Sequence, residues 1–81
     1  MAKQFEIFDE QLSGDTMLTA ENIALCLNLR DGALWTKWAR QGDVPAPYPC
    51  GPAKAYRWRL SDVREYLETR QRDFKRIHNL H

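Results

Sequence analysis

Leu34-Trp35-Thr36-Lys37-Trp38-Ala39-Arg40-Gln41-Gly42, followed by Asp43-Val44-Pro45-Ala46-Pro47, is the stretch that decides how this chain folds. Apolar residues at 34, 35, 38 and 39 recur with helical spacing, while Thr36, Lys37, Arg40 and Gln41 fall on the opposite face. Gly42 stands where a left-handed residue ends a helix at low cost, and Pro45 and Pro47 oppose continuation and favour extended backbone. The pattern predicts a short amphipathic helix in the middle of a small domain. Its apolar face belongs to the core, and its polar face is expected to read DNA.

Immediately upstream, Leu18-Thr19-Ala20-Glu21-Asn22-Ile23-Ala24-Leu25-Cys26-Leu27 predicts another helix, from about residue 20 to 28. Thr19 can cap it, Leu18 and Ile23 stand at the hydrophobic-staple positions, and Glu21 suits the positive end of the helix dipole. Ile23, Ala24 and Leu27 give it an inward face. Asn28-Leu29-Arg30-Asp31 is then a tight connection, with Leu29 filling the corner and Asp31 capping the next helix. Two short helices so joined, the second with a polar outer face, form a helix-turn-helix pattern. Residues 1–16 hold Phe5-Glu6-Ile7-Phe8 and then mostly acidic and small polar residues. They are expected to form a flexible N-terminal arm on which Phe5, Ile7 or Phe8 docks loosely.

Downstream, Tyr48 to Leu60 reads as a hairpin with Cys50-Gly51-Pro52-Ala53-Lys54 at its tip. Its second strand alternates, with Tyr56, Trp58 and Leu60 on one side and Arg57 and Arg59 on the other. Pro49 and Pro52 confine the first strand to an edge. Ser61-Asp62-Val63-Arg64-Glu65-Tyr66-Leu67 opens the last helix with Ser61 as its cap. Val63, Tyr66, Leu67, Arg70, Phe74 and Ile77 keep helical spacing, with the Arg70 stem lying along the apolar stripe. Fraying is expected beyond about Phe74, with residues 71–81 a basic tail or helix extension. The expected fold is mostly α with a small β-hairpin, a winged helix-turn-helix over residues 17–70.

An 81-residue chain allows one domain with a modest core, to which three tryptophans, three tyrosines and three phenylalanines contribute large buried areas. The formal net charge of +1 is unevenly spread. Residues 1–31 carry two basic side chains against six acidic ones, whereas residues 32–81 carry ten against five. The basic half contains the amphipathic helix, which makes a polyanion a plausible partner, although a merely polarised solvated surface has the same composition.

Enzyme chemistry finds no support. The two histidines, His78 and His81, lie at the C-terminal end, where nothing holds a base in position, and no phosphate-cradling glycine loop occurs. Cys26, Cys50 and the histidines are scattered without a metal-ligand spacing, so neither metal nor cofactor is expected, and no small-molecule substrate. The cysteines read as one core thiol and one loop thiol in a reducing cytoplasm. No apolar run approaches the length of a membrane span.

The basic and small residues sort into distinct expected roles. Gly32, Ala33, Thr36 and Lys37 occupy the N-terminal part of the second helix, the part that enters a major groove in a helix-turn-helix. Gly32 and Ala33 would allow close approach, Ala33 or the Thr36 methyl would touch a thymine methyl, and Lys37 would reach a guanine edge. Arg40, Arg30 and Lys54 suit phosphates. Arg57 and Arg59 suit the adjacent backbone or a narrow minor groove, and equally a charged edge that blocks strand pairing. Trp35, Trp38 and Trp58 are expected in the core.

The order helix, turn, helix ending in Gly-x-x-Pro-x-Pro, basic hairpin and Ser-Asp-Val-Arg-Glu-Tyr-Leu resembles the small winged-helix proteins of the phage excisionase and AlpA-type prophage regulator group. These are related to the DNA-binding heads of MerR-type regulators. The resemblance covers about residues 17–70. Its most specific parts are Leu18 to Ala24, Trp38 to Pro47 and Trp58 to Leu67. It implies a second helix in the major groove and a wing along the flanking minor groove or backbone of double-stranded DNA. Excisionases of this kind bind repeated sites beside an attachment site, bend the DNA and recruit an integrase without catalysis. The group's regulators switch promoters, and the related small subunit of phage terminase recognises packaging DNA. The resemblance also implies a monomer that assembles with neighbouring protomers on DNA in a bacterial cytoplasm. The chain departs from the group at Asp31 and Gly32, where many relatives carry Ser, Thr or Arg, and in its acidic N-terminal arm. From a different class, a protein-interaction module using that arm or the basic C-terminal helix remains an alternative.

Overall fold

The computed structural model describes residues 7–52 and 55–78. Among these are three helices and a small three-stranded antiparallel sheet, and the molecule is mostly helical. In chain order they are β1 (Met17–Leu18), α1 (Ala20–Leu27), α2 (Gly32–Gln41), β2 (Tyr48–Pro49), β3 (Tyr56–Arg59) and α3 (Leu60–Ile77).

Local sequence chemistry sets the ends of α1 and α2. Thr19 and Asn22 form a reciprocal capping box, each side chain accepting from the other's backbone N–H at 3.0 Å. Asn fills the place usually taken by Glu or Gln. Leu18 and Ile23 are both buried, as the staple requires. Asn28 closes α1 in the left-handed region (φ 57°), and the Leu29 N–H donates to the Ala24 carbonyl at 2.8 Å. This is a Schellman end. Asp31 caps α2 through the Leu34 N–H, and Gly42 (φ 82°) ends it in the same way as Asn28 ends α1, with Asp43 N–H donating to Trp38 O at 2.9 Å.

Nothing lies within 4 Å of where a Cβ would stand on Gly42. A Gly42→Ala variant therefore meets only the left-handed backbone penalty, and is expected to lose about 1–2 kcal/mol of stability in urea denaturation with α2 intact by circular dichroism. A loss near zero would mean that Gly42 does not hold the left-handed conformation in solution.

The core lies where α1, α2, α3 and the sheet meet, and contains Ile7, Leu18, Ile23, Trp35, Val44, Trp58, Leu60 and Val63. Trp35 stands at its centre, edge-to-face with Trp38, Trp58 and Tyr66 at ring separations of 6.5, 6.2 and 6.1 Å. Trp58 donates its indole N–H to the Pro45 carbonyl at 2.7 Å, which fastens the extended segment after α2 to the sheet. The three tryptophans thus pack as expected, with Trp38 partly buried.

The sheet and the chain ends differ from the sequence expectation. The hairpin β2–β3 is present, with Tyr48 opposite Arg57 and Pro49 opposite Tyr56, but β1 adds a third strand on the other side of β3 (Leu18 opposite Trp58). Leu60 belongs to α3, not to the strand, and is fully buried. Ser61 does not cap α3. The Leu60 and Ser61 N–H groups instead donate to the carbonyls of Thr16 and Gly14, at 2.8 and 3.0 Å. Backbone from residues 14–16 does the work of the missing side-chain cap.

Residues 7–16, expected to be an arm that docks loosely, are bound more closely than that. Ile7 is buried in the core, and the Arg64 guanidinium donates to the carbonyls of Ile7, Asp9 (2.7 Å) and Leu12 (3.5 Å). Phe8 is exposed, and Phe5 lies outside the described residues. At the other end, α3 continues past Phe74 to Ile77, so this part of the expected tail is helix extension. Arg70 is exposed and does not lie along a buried stripe, while Phe74 and Ile77 are 55% and 72% exposed.

Candidate nucleic-acid interface

The α1–α2 pair is the most extensive contact between elements, and it determines which face of α2 is free. Gly32 is the residue that lets the two helices approach. It is buried, and a Cβ there would stand 2.4 Å from Glu21 Oε1 and 2.9 Å from the Glu21 backbone nitrogen. The sequence reading that placed Gly32 against DNA is therefore corrected: its small size serves α1, not a groove. Glu21 contributes beyond its own helix, because its Oε1 accepts the Gly32 N–H at 3.0 Å at the positive end of α2.

The remaining polar positions of α2 form one surface. Ala33, Lys37 and Arg40 are exposed and Thr36 is half-buried, and at spacings of three, four and seven residues they share one helix face. Thr36 donates its hydroxyl to the Gly32 carbonyl at 3.1 Å, which uses its proton within the helix. Arg30 is 85% exposed at the start of α2, where its Nε lies 3.7 Å from Asp31 Oδ2. A pair that exposed adds little to stability and leaves the guanidinium able to turn to another anion.

The hairpin arginines, expected to act together, are placed differently. Arg57 is half-buried and donates to the Tyr56 carbonyl at 2.9 Å. With Thr36, Arg40, Tyr56 and Trp58 it lines a cleft of about 220 Å³ beside the first turn of α1. A neighbouring cleft of about 260 Å³ shares Thr36, Arg40, Tyr56 and Trp58 and continues to Ala39 and Pro47. Arg40 and Arg57 thus border one groove between the polar face of α2 and the hairpin. Arg59 is not part of it. Its guanidinium lies 5.1 Å from the ring centre of Tyr48, whose hydroxyl donates to Asp62 Oδ2 at 3.1 Å. Lys54 lies outside the described residues.

Sequence reasoning missed Tyr56. Strand alternation put it inside with Trp58, yet it is 40% exposed and lines both clefts. Trp58 packs against Trp35 at a ring separation of 6.2 Å, whereas Tyr56 stands at the first position of the strand.

Among the described residues no group of three or more His, Cys, Asp or Glu side chains is arranged to hold a metal ion. Among the described residues, too, no helix is long and apolar enough to cross a membrane. Cys26 is half-buried and Cys50 exposed, and neither is in a disulfide. Compared with known proteins, the chain matches no family model, no curated protein and no solved structure.

Proposed function

We propose that this chain is a sequence-specific, non-catalytic DNA-binding protein of the winged helix-turn-helix kind, acting as an excisionase-like directionality factor that binds and bends attachment-site DNA and assists an integrase. The observation that carries the reading is the exposed face of α2, with Ala33, Lys37 and Arg40 outward on a helix held by its own caps and by α1. Beside it, Arg57 and Arg40 border the groove formed with the hairpin. In this reading α2 enters the major groove, Lys37 reads a base edge, Arg30 and Arg40 hold phosphates, and the hairpin is the wing. Prophage promoter control, or recognition of packaging DNA in the manner of a terminase small subunit, would use the same surface.

Titration of the chain with duplex DNA at several salt concentrations tests the reading. The logarithm of affinity is expected to fall linearly with the logarithm of salt concentration, with a slope that reports the phosphates neutralised. Lys37→Ala is expected to relax sequence preference by about 1–3 kcal/mol at one position, and Arg57→Ala to weaken all sequences about equally. Absence of binding at low salt would refute the proposal.

A second reading rests on a separate observation. Phe74 and Ile77 stand exposed on the last turns of α3 among Arg72, Lys75 and Arg76, a surface suited to a protein partner. Retained partner binding after loss of the α2 cations would favour it.

A further inference from the structure

We infer that the groove between α2 and β3 seats one phosphodiester of the bound DNA, and that the Tyr56 hydroxyl is a direct donor to it. The inference rests on the DNA-binding reading and adds to it a residue that alternation assigned to the core. Three observations converge. Tyr56 lines both clefts of the groove and is 40% exposed, and among the described residues its hydroxyl has no hydrogen-bond partner, whereas the Tyr48 hydroxyl is committed to Asp62. Arg40 and Arg57 line the same groove as Tyr56, so a hydroxyl-bearing ring and two guanidinium-bearing side chains share it, a set of donors complementary to a phosphate. The other hydroxyl of that groove on α2, Thr36, donates to its own helix and leaves the donor role to Tyr56.

One carboxylate also borders the groove, and its negative charge counts against an anion at that end. Glu21 borders the smaller cleft, but its Oε1 is engaged by the Gly32 N–H at the positive end of α2. The first turn of α1, at Thr19 and Ala20, faces the same cleft. Trp58 also lines the groove, with its indole N–H donated to the Pro45 carbonyl and so unavailable to a ligand. A phosphodiester fits this combination of cations and a hydroxyl. The seat also fixes how the hairpin approaches the duplex, because Arg40 belongs to α2 and Tyr56 to β3. One phosphate would then tie the two elements to a common register on the backbone.

The test compares Tyr56→Phe with the unaltered full chain, using a 30-base-pair mixed-sequence duplex as the probe. Loss of a hydrogen bond to a charged oxygen is expected to weaken binding about tenfold on every sequence. The salt slope should not change, since no cation is removed, whereas Arg57→Ala should reduce it by about one. The thermal midpoint of Tyr56→Phe should equal that of the unaltered chain, because among the described residues the hydroxyl has no hydrogen-bond partner. Equal DNA affinity for Tyr56→Phe and the unaltered chain, with Arg57→Ala still weakened, would overturn the seat and leave DNA binding standing. A lowered thermal midpoint for Tyr56→Phe would overturn it too, by showing that the hydroxyl is engaged internally. Failure of the unaltered chain to bind the duplex would remove the DNA reading itself.

Discussion

Trp35→Ala is expected to lower the unfolding free energy by about 3–5 kcal/mol, read as a shifted urea midpoint with an unchanged transition slope. For a domain of this size, whose total stability is roughly 4–12 kcal/mol, that loss removes a large fraction of the total. Trp35 is 1% exposed and is the one ring in edge contact with Trp38 on its own helix, Trp58 on β3 and Tyr66 on α3. Its removal leaves a void between three elements, and close-packed neighbours refill such a void only in part. Its indole Nε1 is buried without a hydrogen-bond partner, an arrangement that itself costs free energy. Trp35→Phe keeps a ring in contact and removes the unsatisfied donor, so it is expected to cost clearly less than the alanine variant. Similar losses for Phe and Ala would mean that the ring contacts contribute little.

The second large effect is expected at Arg64. Its guanidinium holds the carbonyls of Ile7, Asp9 and Leu12 to the side of α3, across 52 to 57 residues of sequence. Arg64→Met keeps an apolar stem and removes every donor, and is expected to cost roughly 2 kcal/mol. The loss should be local. Hydrogen exchange at Leu12 and Thr16, whose amides donate to Asp9 and Ser13, should accelerate while the amides of α1 keep their protection. Unchanged exchange at Leu12 would show that Arg64 is not what holds segment 7–16.

These two residues also mark where the sequence was readable. Trp35 was legible as core because helical periodicity turns positions 34, 35, 38 and 39 to one side, and that reading needs no knowledge of the partner elements. The caps at Thr19, Asp31 and Gly42 were legible for the same reason: each acts within a few residues of itself. Arg64 was not, since its acceptors are backbone carbonyls of a distant segment that carries no signal for being chosen. Strand β1 was missed because two residues display no alternation. Gly32 and Tyr56 failed at the candidate interface for a common cause. The pattern tells which residues share a face, but only the packed position of α1 against α2, and of α2 against the sheet, decides where cover ends. Gly32 packs against α1 and Tyr56 is left exposed, each opposite to expectation.

The proposed interface is therefore narrower on α2 and wider on the hairpin side than the sequence suggested. Ala33, Thr36, Lys37 and Arg40 remain as the α2 contribution, Tyr56 and Arg57 join across the groove, and Arg59 stays with Tyr48 near α3. Backbone amide chemical shifts of the full chain, followed by NMR as a mixed-sequence duplex is added at low salt, test this surface most directly. Perturbations are predicted at Ala33, Thr36, Lys37, Arg40, Tyr56 and Arg57, with Phe74 to Ile77 unmoved. Spectra that stay unchanged at excess duplex, or shifts confined to the last turns of α3, would contradict the account.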